Sequence, residues 1–153
     1  MRFALMLAAM ACGAVLAVPV AIAGTPLTKA AYLAKLRAAN AQVSKAENGA
    51  AGSVQAKATT AAQVKARFKL WGETETRLGR SFAALTPPAV AEKANDDLSH
   101  AEEVYGAQLV AIAAKLPATK SAIARYIGAM KPPTGGALLD HAIAELKAAG
   151  FEV

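Results

Sequence analysis

Residues 53–85 read SVQAKATTAAQVKARFKLWGETETRLGRSFAAL. Within them Ala61, Val64, Phe68, Trp71, Glu75, Leu78, Phe82 and Leu85 recur at steps alternating between three and four. That spacing is the seam of an amphipathic helix. With Ser53 as its N-cap the helix would be ~50 Å long at ~1.5 Å per residue, so the other elements must pack along it. One seam position breaks the apolar pattern, because Glu75 stands one turn from both Trp71 and Leu78.

The neighbours follow from the same reading. Thr28 is a good N-cap, and Tyr32, Leu36, Ala39, Val43 and Ala46 step by four and three behind it, which predicts a first helix over Lys29–Glu47. Asn48-Gly49 supplies its stop, and 49–52 a short loop into the long helix. Thr86-Pro87-Pro88 ends that helix, since a residue before proline is pushed out of helical geometry. A third helix spans about 89–116, with Val90, Ala94, Leu98, Ala101, Tyr105, Leu109, Ile112 and Leu116 on one face. After Pro117, Thr119 opens a short helix carrying Ile123, Tyr126, Ile127 and Met130. Pro132-Pro133 and Gly135-Gly136 interrupt it before a last helix over about 137–149, with Leu138, Leu139, Ala142 and Leu146 inward and Gly150 as its stop. The two short helices together match the third in length. The expected fold is therefore all-α: an antiparallel up-down four-helix bundle whose fourth helix is broken at Pro132–Gly136.

The first 23 residues read as a secretory signal: Arg2, an apolar run from Phe3 to Val20, and small residues at Ala21-Ile22-Ala23. Cleavage would leave Gly24–Val153 as one mature domain, with no stable membrane span; an uncleaved anchor is the rival reading. Cys12, the single cysteine, lies inside an apolar stretch with no polar tether after it, which argues against a lipoprotein. The mature chain would then hold no disulfide.

This mature portion is alanine-rich, with 33 alanines against 26 residues of Leu, Ile, Val and Phe. So few large apolar residues approach the disordered regime, but a formal charge of +6 for the whole chain, +5 without Arg2, is too small to hold it open. Helices approaching closely over small side chains, with a thin core, are expected.

Few constellations carry chemistry. His100 has Asp96 and Glu103 on adjacent turns, yet it points about 130° from the centre of the third helix's stripe. His141 with Glu145 fails in the same way, so no metal is expected. Haem would need Met130 with an inward histidine, and neither histidine faces inward; no cofactor is expected. Nucleophilic catalysis lacks a Gly-x-Ser-x-Gly elbow, a mature cysteine and a buried base. Asp96-Asp97 and Glu102-Glu103 read as acids favoured in the first half of a helix. The chain does not read as an enzyme.

Two candidate sites remain. Lys65, Lys69, Arg77 and Arg80 face away from the seam with only Glu73 among them. They could bind an acidic envelope polymer or anionic lipid head groups, whereas the absence of interleaved aromatics speaks against nucleic acid. Alternatively the third helix neutralises them, with Arg80 level with Glu92 and Lys93, and Arg77 with Asp96 and Asp97. Glu75 falls level with Thr28 and Lys29 if the first helix folds back through 49–52. There it would pair with Lys29 or accept from the exposed backbone donors of that helix end, and mark where the first helix stops covering the second, leaving Phe82 and Leu85 to the third helix and the broken rod. The competing reading makes Trp71 and Glu75 a polar pocket for a small ligand.

The segments Leu27-Thr28-Lys29-Ala30-Ala31-Tyr32-Leu33, Ala39-Asn40-Ala41, Leu85-Thr86-Pro87-Pro88 and Gly150-Phe151-Glu152-Val153 resemble an uncharacterised family of small secreted or lipid-anchored helical proteins of actinobacterial type. The resemblance covers about a quarter of the chain. Its members tend to carry a cysteine two residues after the Asn-Ala pair and another after the final valine, implying a bridge between the first helix and the C-terminus. Here Val43 takes the first position and the chain ends at Val153, so the resemblance implies a helical extracytoplasmic fold that brings Val43 near the C-terminus. It carries no catalytic residues. Together these features describe an exported, monomeric or weakly associating binding or structural component of the cell envelope, its partner a polymer, a lipid surface or an envelope protein. The alternative is an extracytoplasmic carrier of a small ligand or metal.

Overall fold

The computed structural model describes residues 24–152; the expected signal segment with Cys12, and Val153, lie outside the described residues. The described chain is all-helical: α1 (Lys29–Gln55), α2 (Ala61–Ala83), a 3-10 turn (Ala89–Ala91), α3 (Glu92–Lys115), α4 (Lys120–Ala129) and α5 (Thr134–Ala148). None of these helices is long and apolar enough to cross a membrane.

The largest departure from expectation is the first connection. α1 runs through Asn48-Gly49 and Gly52 to Gln55, and the turn into α2 falls at 56–60. Two forces move it. Ala50 and Ser53 lie on the buried face of α1, and the Ser53 hydroxyl donates to the Ala50 carbonyl at 2.6 Å, so burial outweighs the ~1 kcal/mol that each helical glycine costs. Thr60-Ala61-Ala62-Gln63 is also a better start than Ser53, because it forms a reciprocal capping box: the Gln63 amide N–H donates to the Thr60 hydroxyl, and the Thr60 N–H donates to the Gln63 side chain at 2.8 Å.

α2 and α3 form the dominant interface, as close as backbones can come. A Cβ on Gly72 would stand 2.6 Å from the Gly106 carbonyl, one on Gly79 2.6 Å from the Ser99 carbonyl, and one on Gly106 2.5 Å from the Gly72 carbonyl. Ser99 uses the proximity to donate to the Gly79 carbonyl at 2.9 Å. α5 packs on α3 and α1 on α2, while α4 touches α1 and α2 lightly and α1 scarcely meets α5. α4 and α5 are separate helices with 130–133 between them, and Gly135-Gly136, expected in the break, belong to α5.

Two buried clusters fill the interior. One joins Tyr32, Leu36 and Ala39 of α1 to Leu78, Phe82, Leu98, Leu146 and Phe151; the other joins Ala50 of α1 to Val64, Phe68, Trp71, Leu109, Leu116 and Ile123. α1 therefore covers α2 at both ends, correcting the expectation that Phe82 relies on α3 and the broken rod alone. Val90 and Leu138, expected inward, are 71% and 40% exposed: Val90 sits in the 3-10 turn, where the helical spacing is lost.

At one end of the bundle the segments quoted for the family resemblance converge. The Leu27 N–H donates to the Thr86 carbonyl at 2.8 Å. Gly150, at φ 82°, ends α5 with paired bonds from its own N–H to Lys147 and from Phe151 to Leu146, a Schellman turn that delivers Phe151 into the core. There Phe151 meets Tyr32 edge-on at 5.2 Å, and Lys29 lies over its ring at 5.4 Å. Val43 packs against the cluster that holds Phe151.

The glycines give opposite predictions by position. Gly106→Ala should lower stability by about 1–3 kcal/mol, since α2 backbone must yield to its Cβ. Gly52→Ala, whose Cβ meets nothing within 4 Å, should raise it by about 0.5–1 kcal/mol. Urea unfolding of the two variants measures both.

Candidate functional site: an acid-floored cleft between α1 and α5

Because α1 and α5 pack on different partners, a cleft of about 520 Å³ separates them. Leu36, Ala39 and Val43 from α1 face Leu139, Ile143 and Leu146 from α5, with Asn40 and Glu47 on the first wall and Asp140 and Lys147 on the second. Its base is the α2–α3 interface, which contributes Trp71, Glu75, Leu98, Glu102 and Tyr105. This explains why α1 is buried at Ala39 and Ala50 but only half-buried at Val43, Ala46 and Glu47 between them. The cleft lies over the gap between the two core clusters.

Glu75 and Glu102 fill that gap. They are 1% and 7% exposed and face each other across the glycine-lined interface. Trp71 Nε1 donates to Glu75 Oε1 at 2.7 Å, and the Glu102 carboxyl is hydrogen-bonded to Glu75. The Oε2 atoms of both are buried, and no protein N–H or neutral hydroxyl reaches them. Two acceptors facing one another need a proton between them, and Glu102 supplies it: burial, then the hydrogen bond to Glu75, then the charge of Glu75 push its carboxyl up to about 10. Glu47, across the cleft on α1, is raised by burial and by Glu75, and the Tyr105 hydroxyl is raised by burial and by the charges of Glu75, Glu47 and Glu102.

The expected Glu75–Lys29 pair is not formed. The shift of the first turn to 56–60 brings the middle of α1, with Glu47, level with Glu75, and Lys29 goes to Phe151. Nor does Glu75 mark the end of α1's cover. Glu75 and Trp71 both line the cleft. Glu102, which the sequence accounts for as an acid favoured in the first half of a helix, lies in the core. The signal was present: Leu98, Glu102, Tyr105 and Leu109 step by four, three and four, the pattern that exposes Glu75, but adjacency to Glu103 suggested a surface acid.

Second-layer contacts hold the base in place. Trp71 is flanked by Tyr105, edge-on at 5.8 Å, and by Phe68 at 6.0 Å. α5 has no side-chain cap of its own. Gln108 of α3 serves instead, accepting from the Gly135 N–H at 2.9 Å and donating to the Thr134 hydroxyl at 2.7 Å. Gly135 allows this approach, since a Cβ there would stand 2.6 Å from Tyr105 Cα. At the other end the Tyr32 hydroxyl donates to Asn95 Oδ1 at 3.0 Å, and Asn95 Nδ2 donates to the Phe82 carbonyl at 3.1 Å. Burial and Asp96 push the Tyr32 hydroxyl up to about 12.

The basic candidates on α2 are dispersed. Lys65 is half-buried, Lys69 pairs with Glu73 at 3.5 Å, Arg77 reaches back to donate to Gln42 Oε1 of α1 at 2.9 Å, and Arg80 is exposed. The expected matching of Arg77 and Arg80 with acids of α3 does not form, because the glycine register sets α3 differently: Lys93 instead holds Asp97 at 2.6 Å and Glu145 of α5 at 2.5 Å. Arg77 joins Lys45 and Arg67, which the sequence reading passed over, in a groove of about 260 Å³ between α1 and α2.

Asp97, His141 and Glu145 approach within 4.8 Å of one another, a spacing a metal could use. His141 and Glu145 point away from the apolar stripe, as expected for a pair on the outer face, but the fold brings Asp97 of α3 to them. The Lys93 ammonium pairs with both carboxylates of this group, Asp97 and Glu145.

No family model, curated protein or solved structure matches this chain.

The raised Glu102 carboxyl fixes a sign for stability against pH. Between the unfolded value near 4.5 and the folded value of about 10 the native state holds a proton that the unfolded chain has lost. Its contribution is complete below the lower value and declines as pH rises through the window. Raised Glu47 acts in the same direction, whereas the lowered Asp97, stabilised by its hydrogen bond to Lys93, loses its contribution only below about 3.8. Unfolding free energy should therefore fall from pH 5 to pH 8 by up to ~1.4 kcal/mol per unit. Glu102→Gln should be more stable than the parent at pH 8 and have a flatter profile.

Proposed function

We propose that this chain is an exported, non-catalytic binding protein of the cell envelope that carries a small molecule in the cleft between α1 and α5. The observation that supports this is the pairing of that cleft with a buried carboxyl layer. A chain short of large apolar residues leaves about 520 Å³ open in its middle and places two carboxyl groups at the base. Both features lower stability, since a cavity forfeits packing and a buried carboxyl pair costs more than apolar side chains of the same shape. Features that cost stability and converge on one place are those expected of a binding site.

In this reading α4 and α5 share the fourth rod of an up-down four-helix bundle, and the break at 130–133 frees α5 to stand away from α1. A carrier also accounts for the carboxyl pair better than an enzyme does. The two groups hydrogen-bond to each other, Glu75 also accepts from Trp71, and among the described residues no nucleophile with a neighbouring base stands beside them.

Trp71 is the only tryptophan and lines the cleft, so its fluorescence reports occupancy. Titration with the neutral apolar dye N-phenyl-1-naphthylamine should quench Trp71 saturably at one dye per chain. Filling the cleft with Val43→Phe and Ile143→Phe should weaken binding at least tenfold while leaving the melting temperature equal or higher. Unsaturable quenching, or quenching that the filled variant retains, would refute the carrier reading.

A further inference from the structure

Which molecule fits follows from the donor and acceptor balance of the cleft. Its base offers acceptors in excess: Glu75 and Glu102 receive one N–H from Trp71 and share one proton, and their Oε2 atoms meet no other donor. The charges that face this pair come from every helix around the cleft. α1 contributes Glu47, α5 contributes Asp140 and Lys147, and α3 adds the neutral Tyr105 hydroxyl. Three carboxyl groups, Glu75, Glu102 and Glu47, thus stand at and beside the base, while Asp140 and Lys147 are both exposed on α5. An anionic head group would be repelled, and a neutral one would leave acceptors unfilled. A divalent metal lacks a third ligand at the base, because among the described residues the only group of three close metal-ligating side chains is Asp97, His141 and Glu145. An ammonium fits on both counts, bringing three N–H donors and a positive charge.

Resting on the carrier reading above, we infer that the ligand is an amphipathic monocation, an ammonium on an apolar body, whose head displaces the proton shared by Glu75 and Glu102. The apolar body lies between the walls formed by Leu36, Val43, Leu139 and Ile143. The exchange balances in charge: one ammonium enters, one proton leaves to solvent, and the base holds a carboxylate pair bridged by the ligand. In the free protein the proton acts as a placeholder that makes the pair tolerable in the dry interface.

The test is calorimetric titration of the protein with octylammonium, octanol and octanoate at pH 7, in phosphate and in Tris, whose ionisation heats differ. Octylammonium should bind at least ten times more tightly than octanol, with octanoate weakest, and the buffer dependence should show about one proton released per ligand. Its affinity should rise up to tenfold per pH unit between pH 6 and pH 8, where the ligand stays protonated. Glu102→Gln, which keeps the shape of the side chain, should abolish both the proton release and the pH dependence. If octanol or octanoate binds as tightly as octylammonium, the cation assignment fails while the carrier reading stands. If octylammonium binds without releasing a proton, the exchange is wrong. If neither these three nor the neutral dye binds, the carrier reading itself falls.

Discussion

The contact of two backbones at Gly72, Gly79 and Gly106 sets the rest of this structure. With no side chain between them, α2 and α3 come close enough for carbonyl oxygens to lie within 2.6 Å of where a Cβ would be. At that separation a residue beside the contact cannot turn its head into water. Glu75 follows Gly72 by three positions and Glu102 precedes Gly106 by four, so both carboxyls are enclosed in the same layer. Their shared proton is a consequence of that enclosure: two carboxylates so placed would leave an unpaired charge in a dry interface, at a cost of several kcal/mol.

The same layer divides the core. Below it Tyr32, Phe82 and Phe151 pack together, above it Phe68, Trp71 and Leu109 do, and the acids stand between. Alanine supplies much of the remaining contact, as at Ala91, Ala94, Ala101 and Ala142, and buries little apolar surface per residue. The chain therefore relies on directional contacts where many bundles rely on bulk. The Tyr32–Asn95–Phe82 relay joins three helices, and the Ser99–Gly79 bond and the external cap from Gln108 each join two, by hydrogen bonds buried wholly or in part, where such bonds stabilise most and where their loss costs most.

Sequence periodicity revealed the helices because each presents one apolar stripe, and Glu75 was conspicuous as the one charge in the clearest of them. The first turn was misplaced because Asn48-Gly49 and Gly52 are strong local stop signals. They were overridden by burial of Ala50 and Ser53 and by a capping box twelve residues further on at Thr60, and tertiary burial is not visible to local propensity. That slip displaced the partner assigned to Glu75 by several helical turns. Glu102 was hidden for a different reason. A charged residue next to another in the first half of a helix has a sufficient surface explanation, and only the approach of α2 shows that this turn is covered. The cleft was legible only as its edge, Trp71 beside Glu75; its volume depends on α5 standing off α1, which no single-helix pattern encodes.

That stand-off is built in by how α5 is fastened. Gln108 holds its first turn to α3, with Gly135 seated against the Tyr105 backbone, and Lys93 holds Glu145 near its last turn to the same helix. α1 is fastened mainly to α2, through the Gln42–Arg77 bond and its packing in both clusters, with Tyr32 donating to Asn95 of α3 at one end. The two walls of the cleft thus belong largely to separate attachments and come together at one end, where Tyr32 and Lys29 meet Phe151. A cleft between walls anchored to different neighbours persists without a ligand to prop it open, because closing it would require breaking one attachment to gain contacts at the other. The walls and the acidic base are therefore arranged before anything binds, and the ordering cost that a collapsed site would impose on its ligand is avoided.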